Sequence, residues 1–241
     1  MLTLYQFPIS HYCEKVRWAL DYKGIEYRVI NLLPGAHIKV IKPLCSKTEV
    51  PVLRHDENIV QGSSEIISYL DQTFPDKPLT PSNTSQKQQA LEWEEFVDKN
   101  IGPHVRTYFY YYLLDIPDMV IPLLAHGQPF HKRWVFRIVY PKVRDTMRAF
   151  MKLNKRTADI SLEKLMHAID KLSSQLALTP FLAGDHFTRA DLAAASLLAP
   201  FRSPDKYGLN WPKTLPEELQ RTADALNSDL GWVDSLYQNY R

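Results

Sequence analysis

A proline-rich segment at residues 75–83 divides this chain into two parts with different hydrophobic patterns. Three of its nine residues are prolines, which have no backbone N–H to donate within a helix or a central strand. Before the segment, short strand-like runs alternate with helical patterns, whereas after it nearly every apolar pattern has the helical period. The sequence therefore predicts one domain at residues 1–76, a linker at 77–85 and an all-helical domain at 86–241.

The first part has the predicted order strand, helix, strand, strand, strand, helix. A helix separates the first two strands, which favours a parallel pair, and a short turn joins the last two, which favours an antiparallel hairpin. The predicted strands cover residues 2–7, 27–32, 52–55 and 59–61, and the predicted helices cover residues 12–23 and 64–74.

The second part begins with a long helical pattern over residues 86–112, which we expect to bend at Gly102-Pro103. Residues 117–128 follow as an extended insertion beside this helix, and we expect them to shape or cover a pocket. Further along, Thr188 and Asp191 have the spacing of a capping box, in which each side chain bonds to a free amide of the first helical turn. This motif predicts a strong start for a nearly buried helix, and its role is structural.

The overall charge and the scarce cysteines exclude several classes of function. A net charge of +2, from 29 basic and 27 acidic residues, predicts neither a nucleic-acid partner nor a polybasic membrane anchor. The two cysteines, Cys13 and Cys45, do not form a disulfide framework or a zinc set, and the eight histidines are scattered, so we expect no metal. Because neither a signal-peptide pattern nor a run of about 18 apolar residues occurs, we expect a cytoplasmic protein without a membrane partner.

Three short segments of the first part place polar groups where a ligand can bind. Ser10 lies between the first strand and the first helix, where free amides and the helix dipole favour an anion. Ser63 and Ser64 precede the second helix and offer amides and hydroxyls of the same kind, and Pro51 opens the third strand, where a missing amide costs least. The alternative for each serine is helix capping alone.

Together these segments resemble the glutathione S-transferase superfamily over nearly the whole chain. The resemblance is carried, in order, by SHYCEKVR at residues 10–17, EVPVL at 49–53, GSSEIISYL at 62–70 and LAGDHFTRAD at 182–191. It implies an α/β thioredoxin-like N-terminal domain plus an all-α C-terminal helical bundle. It also implies a cytoplasmic, homodimeric detoxification enzyme that activates the thiolate of glutathione, its co-substrate, for attack on small apolar electrophiles.

The resemblance also implies roles for individual residues. Ser10 stands five positions before Lys15, as the working residue does in serine-type members, and so inherits the catalytic role. The backbone of Val50 is expected to pair with the cysteinyl unit of glutathione, and Ser63 and Ser64 are expected to bind its glutamyl carboxylate. The full expected glutathione-binding set is Tyr12, Glu49, Val50, Pro51, Gly62, Ser63 and Ser64.

One position departs from the family pattern. Most classes have Glu or Gln immediately before the first of these serines, whereas this chain has Gly62, with Gln61 one position earlier. The departure puts recognition of the glutamyl ammonium group in doubt.

For the second substrate, the resemblance directs attention to the helix that faces Ser10, and the expected pocket residues are His11, Tyr108 and Tyr112.

Three other functions stay open at this point. Cys13 could carry glutathionyl exchange or peroxide reduction in an enzyme of the same fold. A non-catalytic protein that binds glutathione or an apolar ligand is the second alternative, and the glycine at position 62 gives it weight. The third is an isomerase of the membrane-associated prostaglandin E synthase type, which rests only on the short run of residues 63–67.

Overall fold

The computed structural model describes residues 1–212 and 214–241, and its N-terminal part is built on a mixed sheet. Within the described residues this sheet has four strands, in the order β2-β1-β3-β4. They are β1 (Leu2–Gln6), β2 (Tyr27–Asn31), β3 (Val52–His55) and β4 (Asn58–Gln61). β2 runs parallel to β1, whereas β3 is antiparallel to both β1 and β4. The predicted parallel pair and the predicted hairpin are both confirmed.

Two helices connect strands, α1 (His11–Tyr22) between β1 and β2 and α2 (His37–Ile41) between β2 and β3, and a third helix, α3 (Ser63–Thr73), follows β4. α1 begins after Ser10, whose Oγ accepts a hydrogen bond of 3.3 Å from the amide of Cys13. It ends before Gly24, which has a positive φ of 68°, a backbone conformation that glycine adopts without steric cost. α2 is a single short helix between β2 and β3, and it is absent from the predicted order of elements.

The remainder of the described chain is helical, as predicted. Its helices are α4 (Thr84–Asn100), α5 (Gly102–Leu113), α6 (Pro117–Leu124), α7 (Phe130–Phe150), α8 (Lys155–Leu176), α9 (Arg189–Arg202), α10 (Glu217–Ala225) and α11 (Gly231–Tyr240). None of the helices in residues 1–212 and 214–241 has the length and the apolar character needed to cross a bilayer.

The long helix expected over residues 86–112 is interrupted rather than merely bent. α4 stops at Asn100, Ile101 has φ −111° and ψ −59°, and α5 starts at Gly102. Pro103 has no N–H to donate to the carbonyl of the preceding turn, and in a continuous helix its ring would clash with the carbonyl four residues earlier. The chain therefore restarts as a second helix with the proline in its first turn, where the missing donor costs least.

α9 is the central helix of the molecule, and every residue from Arg189 to Phe201 is buried. Its predicted capping box is present: Oδ2 of Asp191 accepts hydrogen bonds from the amide of Thr188 at 2.9 Å and from its hydroxyl at 2.9 Å. Asp191 Oδ1 also accepts from the amide of Leu182 at 2.7 Å. α9 packs against both α1 and α4, and so joins the sheet-containing part to the helical part.

A buried ionic network crosses the same interface. Lys15 Nζ of α1 lies 2.8 Å from Glu94 Oε1 and 2.8 Å from Asp98 Oδ2, both on α4. Glu94 Oε2 accepts a hydrogen bond of 2.5 Å from Nε of Arg189 on α9. Another guanidinium nitrogen of Arg189 donates to the carbonyl of Ser64 on α3 at 2.8 Å. Four helices are thus tied together by groups that water scarcely reaches.

Glu94 stays ionised in this network despite its burial. Desolvation alone raises the pKa of a carboxyl group, but Lys15 and Arg189 outweigh this effect and hold the pKa of Glu94 below its usual value. A carboxyl group whose pKa is lowered on folding contributes stability above its unfolded pKa, and this contribution disappears as the pH falls through the folded pKa.

We expect Glu94→Gln to lower the free energy of unfolding by about 3 kcal/mol or more, because it leaves Lys15 and Arg189 buried with one anion fewer. The matched control is Glu95→Gln, whose exposed side chain pairs only with Lys99 in the part of the chain described, and which should change stability by no more than about 0.5 kcal/mol. Urea denaturation at neutral pH measures both values.

The same comparison in acid tests the charge directly. As the pH falls below about 4.5, the ordinary value for glutamate, the stability advantage of the wild type over Glu94→Gln should shrink. Equal stability of the Glu94 and Glu95 variants at neutral pH, or a difference that does not depend on pH, would contradict this account of the network.

Candidate functional site

Three loops meet at one edge of the sheet. In the strand register Tyr5 of β1 lies opposite Val52 of β3, and Val52 in turn lies opposite Gln61 of β4. The end of β1, the start of β3 and the end of β4 are therefore side by side. Because Ser10 follows β1, Pro51 precedes β3 and α3 follows β4, the three segments singled out in the sequence lie at the same edge.

The turn at Ser10 presents a hydroxyl and free amides. Ser10 is half-buried, and its own amide donates to the carbonyl of Phe7 at 3.0 Å. The amides of His11 and Tyr12 have no hydrogen-bond partner among residues 1–212 and 214–241, as expected for the first turn of a helix. A negative charge near Ser10 would therefore be stabilised by the helix dipole and by unsatisfied donors.

Cys13 lies in the first turn of α1 and is fully buried. Burial raises the pKa of its thiol, and this effect exceeds the opposing effects of Ser10, Arg17 and the backbone of Phe7. A buried thiol with a raised pKa is a weak nucleophile at neutral pH. Its burial and its raised pKa therefore favour a residue packed in the core over a reactive thiol.

Gln61 makes hydrogen bonds to the backbone of the loop before β3. The Val50-Pro51 peptide bond is cis. Gln61 Nε2 donates to the carbonyl of Lys47 at 3.0 Å and to that of Glu49 at 2.8 Å. The backbone amide and carbonyl of Val50 have no partner in the part of the chain that the structure describes. They are thus available to an extended ligand that pairs with them as an added strand would.

The start of α3 is a second helix terminus with free donors. Gly62 occupies the cap position with φ 103° and supplies no side-chain hydrogen bond to the helix. The amides of Ser63 and Ser64 have no partner among the described residues, so a carboxylate can bind there. A Cβ at position 62 would lie 2.1 Å from Oε2 of Glu65, which leaves no room for the family's Glu or Gln while Glu65 keeps this rotamer.

Two of the predicted glutathione-binding residues have their hydroxyls engaged elsewhere. Ser64 Oγ donates to Asp98 Oδ2 at 2.8 Å and accepts from Lys15 Nζ at 3.1 Å, within the buried network. The Tyr12 hydroxyl donates to the carbonyl of Asp98 at 2.7 Å. Gly102 packs so closely on Tyr12 that an added Cβ would lie 2.1 Å from this hydroxyl oxygen. The backbone amides of Tyr12 and Ser64 still lie at the two helix starts.

The predicted second-substrate residues lie in different environments. His11 is buried in the turn, and burial followed by the charge of Arg106 lowers the pKa of its imidazole to about 3, so the ring is neutral at physiological pH. Tyr108 is buried in the helical core, where its hydroxyl lies 2.7 Å from Thr222 Oγ1. Tyr112 packs its ring edge against Tyr108, with ring centroids 5.2 Å apart.

Arg106 and Tyr110 are two neighbours of the turn that the sequence analysis did not name. They stand four residues apart on α5, so both face the same side of that helix. Burial raises the pKa of Tyr110 to about 12; the charge of Arg106 opposes this rise and Cys13 adds to it. The charge of Arg106 also acts on His11 and Tyr12. In the sequence, only their spacing of four residues, which puts both side chains on one face of a helix, could have indicated this pair.

The connection between α6 and α7 contacts the sheet near the site. Gln128 Nε2 donates to the carbonyl of Asn31 at 2.5 Å, at the end of β2. Gly127 approaches so closely that a Cβ there would lie 2.4 Å from Nδ2 of Asn31. Asn31 Oδ1 accepts from Gln6 Nε2 at 2.9 Å, and Gln6 ends the strand that leads to Ser10. The expected insertion therefore reaches the neighbourhood of the turn; a pocket beneath it stays a prediction.

Comparison with known proteins identifies the family. A model described as the N-terminal domain of glutathione S-transferase matches residues 4–78, and one described as the C-terminal domain of the same enzyme matches residues 143–221. The chain belongs to the glutathione S-transferase superfamily. Both matches cover the segments that carried the resemblance, so the recognition from sequence is confirmed.

A curated relative and a solved structure are similar to this chain. Glutathione S-transferase 1 of Dianthus caryophyllus is 33% identical over 108 residues, which are 42% of this chain and 48% of that protein. The chain thus spans about half the length of this curated relative. The beta-etherase LigF from Sphingobium sp. strain SYK-6 has a TM-score of 0.66 at 17% identity, with 100% of this chain and 99% of that chain covered.

A second solved structure is a glutathione S-transferase from Methylobacterium radiotolerans in complex with glutathione sulfonate. It has a TM-score of 0.59 at 20% identity and covers 96% of this chain and 93% of that chain. Likenesses at this level of identity establish the fold, and the predicted thioredoxin-like domain followed by a helical bundle is confirmed. Within the described ranges, no three His, Cys, Asp or Glu side chains cluster as a metal site requires.

The burial of Cys13 predicts a clear difference between the two thiols. In the native protein dithiobis(nitrobenzoate) should label the half-buried Cys45 and leave Cys13 unreacted until denaturant is added. Cys45→Ser should abolish the native reaction, and Cys13→Ser should leave it unchanged. Rapid native labelling of the Cys45→Ser variant would show that Cys13 is accessible and would contradict its assignment as a packed residue.

Proposed function

We propose that this protein is a glutathione transferase in which Ser10 stabilises the thiolate of glutathione for attack on a small apolar electrophile. The observation that carries the proposal is the meeting of the Ser10 turn, the Val50-Pro51 loop and the start of α3 at one edge of the sheet. Family membership supports glutathione as the co-substrate, as does the glutathione sulfonate bound by a structural relative.

The proposed binding mode assigns one part of glutathione to each segment. The glutamyl carboxylate binds the free amides of Ser63 and Ser64. The cysteinyl backbone pairs with the amide and carbonyl of Val50 as an added strand. The thiol then lies at Ser10. Its proton passes to solvent water, and the hydroxyl of Ser10 donates a hydrogen bond to the sulfur of the resulting thiolate.

The energy required is within reach of these groups. A free thiol has a pKa of about 8.5, and lowering it by about two units needs roughly 2.7 kcal/mol of differential stabilisation. A hydrogen bond to a charged acceptor contributes about 1.5–3 kcal/mol, and a helix N-terminus adds about 0.3–1 kcal/mol. The hydroxyl of Ser10 and the start of α1 together suffice, and no further charged group is needed.

The apolar character of the second substrate is supported by the aromatic side chains of α5. Tyr110 stands near the turn, and its raised pKa keeps its hydroxyl neutral at physiological pH. His11 is neutral as well. Arg17, which donates to the carbonyl of Pro8 in the turn, is paired with Glu14, and Arg106 is the charged group of α5 that acts on His11. The alternative in which Cys13 performs the chemistry is disfavoured by the full burial and raised pKa of that thiol.

Ser10→Ala tests the assignment through the ultraviolet absorbance of the bound thiolate. We expect the wild type to bind glutathione with the thiol pKa lowered by about two units, and the variant to bind it with that shift lost. At a pH below the free thiol pKa, kcat/KM toward an aryl halide should fall roughly tenfold to a hundredfold. Cys13→Ser is the control and should keep both the thiolate signal and the activity.

Two results would overturn the proposal. If Ser10→Ala keeps its activity while Cys13→Ser loses it, the chemistry belongs to a thiol enzyme of the same fold. If glutathione binds to all three proteins with its thiol protonated, the protein is a binding protein without catalysis.

A further inference from the structure

α7 has more exposed large apolar side chains than any other element of the described chain. Thirteen large apolar side chains are exposed in residues 1–212 and 214–241, and six of them belong to this one helix. Trp134 is 59% exposed and Ile138 58% exposed. The six are Phe130, Trp134, Val135, Ile138, Val139 and Phe150. Such a concentration marks a surface that contacts something other than water.

The helical geometry puts these side chains on the outer face. α7 packs on the molecule through Phe136 and Tyr140, which are buried, and the Tyr140 hydroxyl donates to the carbonyl of Leu114 at 2.6 Å. Trp134 and Ile138 stand two positions before these residues, which is a rotation of about 200° around the axis. The pair therefore points away from the core, one helical turn apart on the same stripe.

Positive charge exceeds negative charge on α7. Six lysine and arginine residues and one acidic residue occur between Phe130 and Phe150. Two of the arginines pair with acidic residues outside α7, Arg137 with Asp118 at 2.5 Å and Arg148 with Asp115 at 2.6 Å. The others are Arg144, which pairs with Asp145, and three cations without an ion-pair partner in the described ranges: Lys132, Arg133 and Lys142.

We propose that α7 binds the surface of an anionic lipid bilayer, lying in its plane. The apolar stripe with Trp134 and Ile138 would enter the head-group region. Lys142, one helical turn after Ile138 on the same side, would pair with lipid phosphates, and Lys132 and Arg133, at the start of α7 outside the stripe, would add attraction to the anionic surface. A helix with an aromatic residue on an apolar face, and with lysines and arginines on its other faces, is the pattern of interfacial helices. Each such cation near an anionic surface adds attraction, and the attraction is screened by salt.

A second copy of this chain is a less suitable occupant. A two-fold contact would bring the α7 surfaces of both copies together, with Lys132, Arg133 and Lys142 on each side. The one acidic residue of the helix, Asp145, already pairs with Arg144. The surface therefore lacks the negative charge that would neutralise its own copy, whereas lipid phosphates supply it.

This inference does not depend on the proposed glutathione chemistry, because it uses no residue of the Ser10 turn. The two are related by position only. α7 follows directly on residues 125–129, which contact Asn31 near the turn. A bilayer bound to α7 would therefore lie close to the loop that flanks the candidate site.

The experiment is flotation of the full chain with vesicles of phosphatidylcholine alone and of phosphatidylcholine mixed with phosphatidylglycerol, at low and high salt. We expect the wild type to float with the anionic vesicles at low salt, with partitioning at least about tenfold weaker on the neutral vesicles or at high salt. Sedimentation velocity of the same samples without lipid records the oligomeric state.

Two sets of variants separate the apolar and the charged contributions. Trp134→Ser combined with Ile138→Ser, and Lys132→Gln combined with Arg133→Gln and Lys142→Gln, should each lower the partitioning at least about tenfold. The controls are Leu178→Ser, an 80% exposed leucine outside α7, and Lys164→Gln, an exposed lysine on α8. Both controls should bind like the wild type, and thermal unfolding should show every variant folded, since the altered side chains are exposed.

Three outcomes would overturn the inference. One is the absence of vesicle binding by the wild type. Another is equal loss of binding in the α7 variants and in the two controls. The third is a change of oligomeric state in the α7 variants without any binding to lipid, which would identify the surface as an interface between copies.

Discussion

The contact between Lys15 and Glu94 sets the geometry on which the candidate site depends. The two groups are buried between α1 and α4, and Arg189 completes the network from α9. Because an unpaired buried charge costs several kcal/mol, each helix is confined to positions where the partners still meet. Ser10 begins α1, and the free amides of Ser63 and Ser64 begin α3, which Arg189 holds through the carbonyl of Ser64. The network thus fixes the distance between the two helix starts that the proposed ligand must span.

Two helix starts with unsatisfied donors at one edge of the sheet explain why the site suits a ligand with two negative groups. The start of α1 favours a thiolate at Ser10, and that of α3 favours a carboxylate at Ser63. Between them, the free backbone of Val50 suits an extended peptide unit. The site needs little charge from side chains, because the hydroxyl of Ser10 and the free amides of the two helix starts provide the attraction. This is consistent with a neutral His11 and a fully buried Cys13 at the turn.

Local patterns in the sequence predicted most of this architecture, because strands, turns and caps depend on neighbours in the chain. The hairpin, the parallel pair and the capping box of Thr188 and Asp191 are of this kind. What the sequence did not indicate depends on pairs far apart in the chain. The hydroxyl of Ser64 bonds to Asp98, 34 positions away, and that of Tyr12 bonds to the Asp98 carbonyl across 86 positions. No periodicity encodes such contacts, so the sequence did not indicate that the hydroxyls of Ser64 and Tyr12, two residues expected at a ligand, also hold the two parts of the chain together.

Charge illustrates the same limit at the scale of the whole molecule. A net charge of +2 gave no reason to expect an electrostatic surface. The average conceals a helix with six basic residues and one acidic residue, whose balancing acidic residues lie elsewhere in the chain. Attraction to an anionic surface decays within about one Debye length, roughly 8–10 Å, so it responds to the local charge of α7 and not to the total. The outward direction of the apolar stripe and the local excess of positive charge both belong to this one helix, and whole-chain composition cannot report either property.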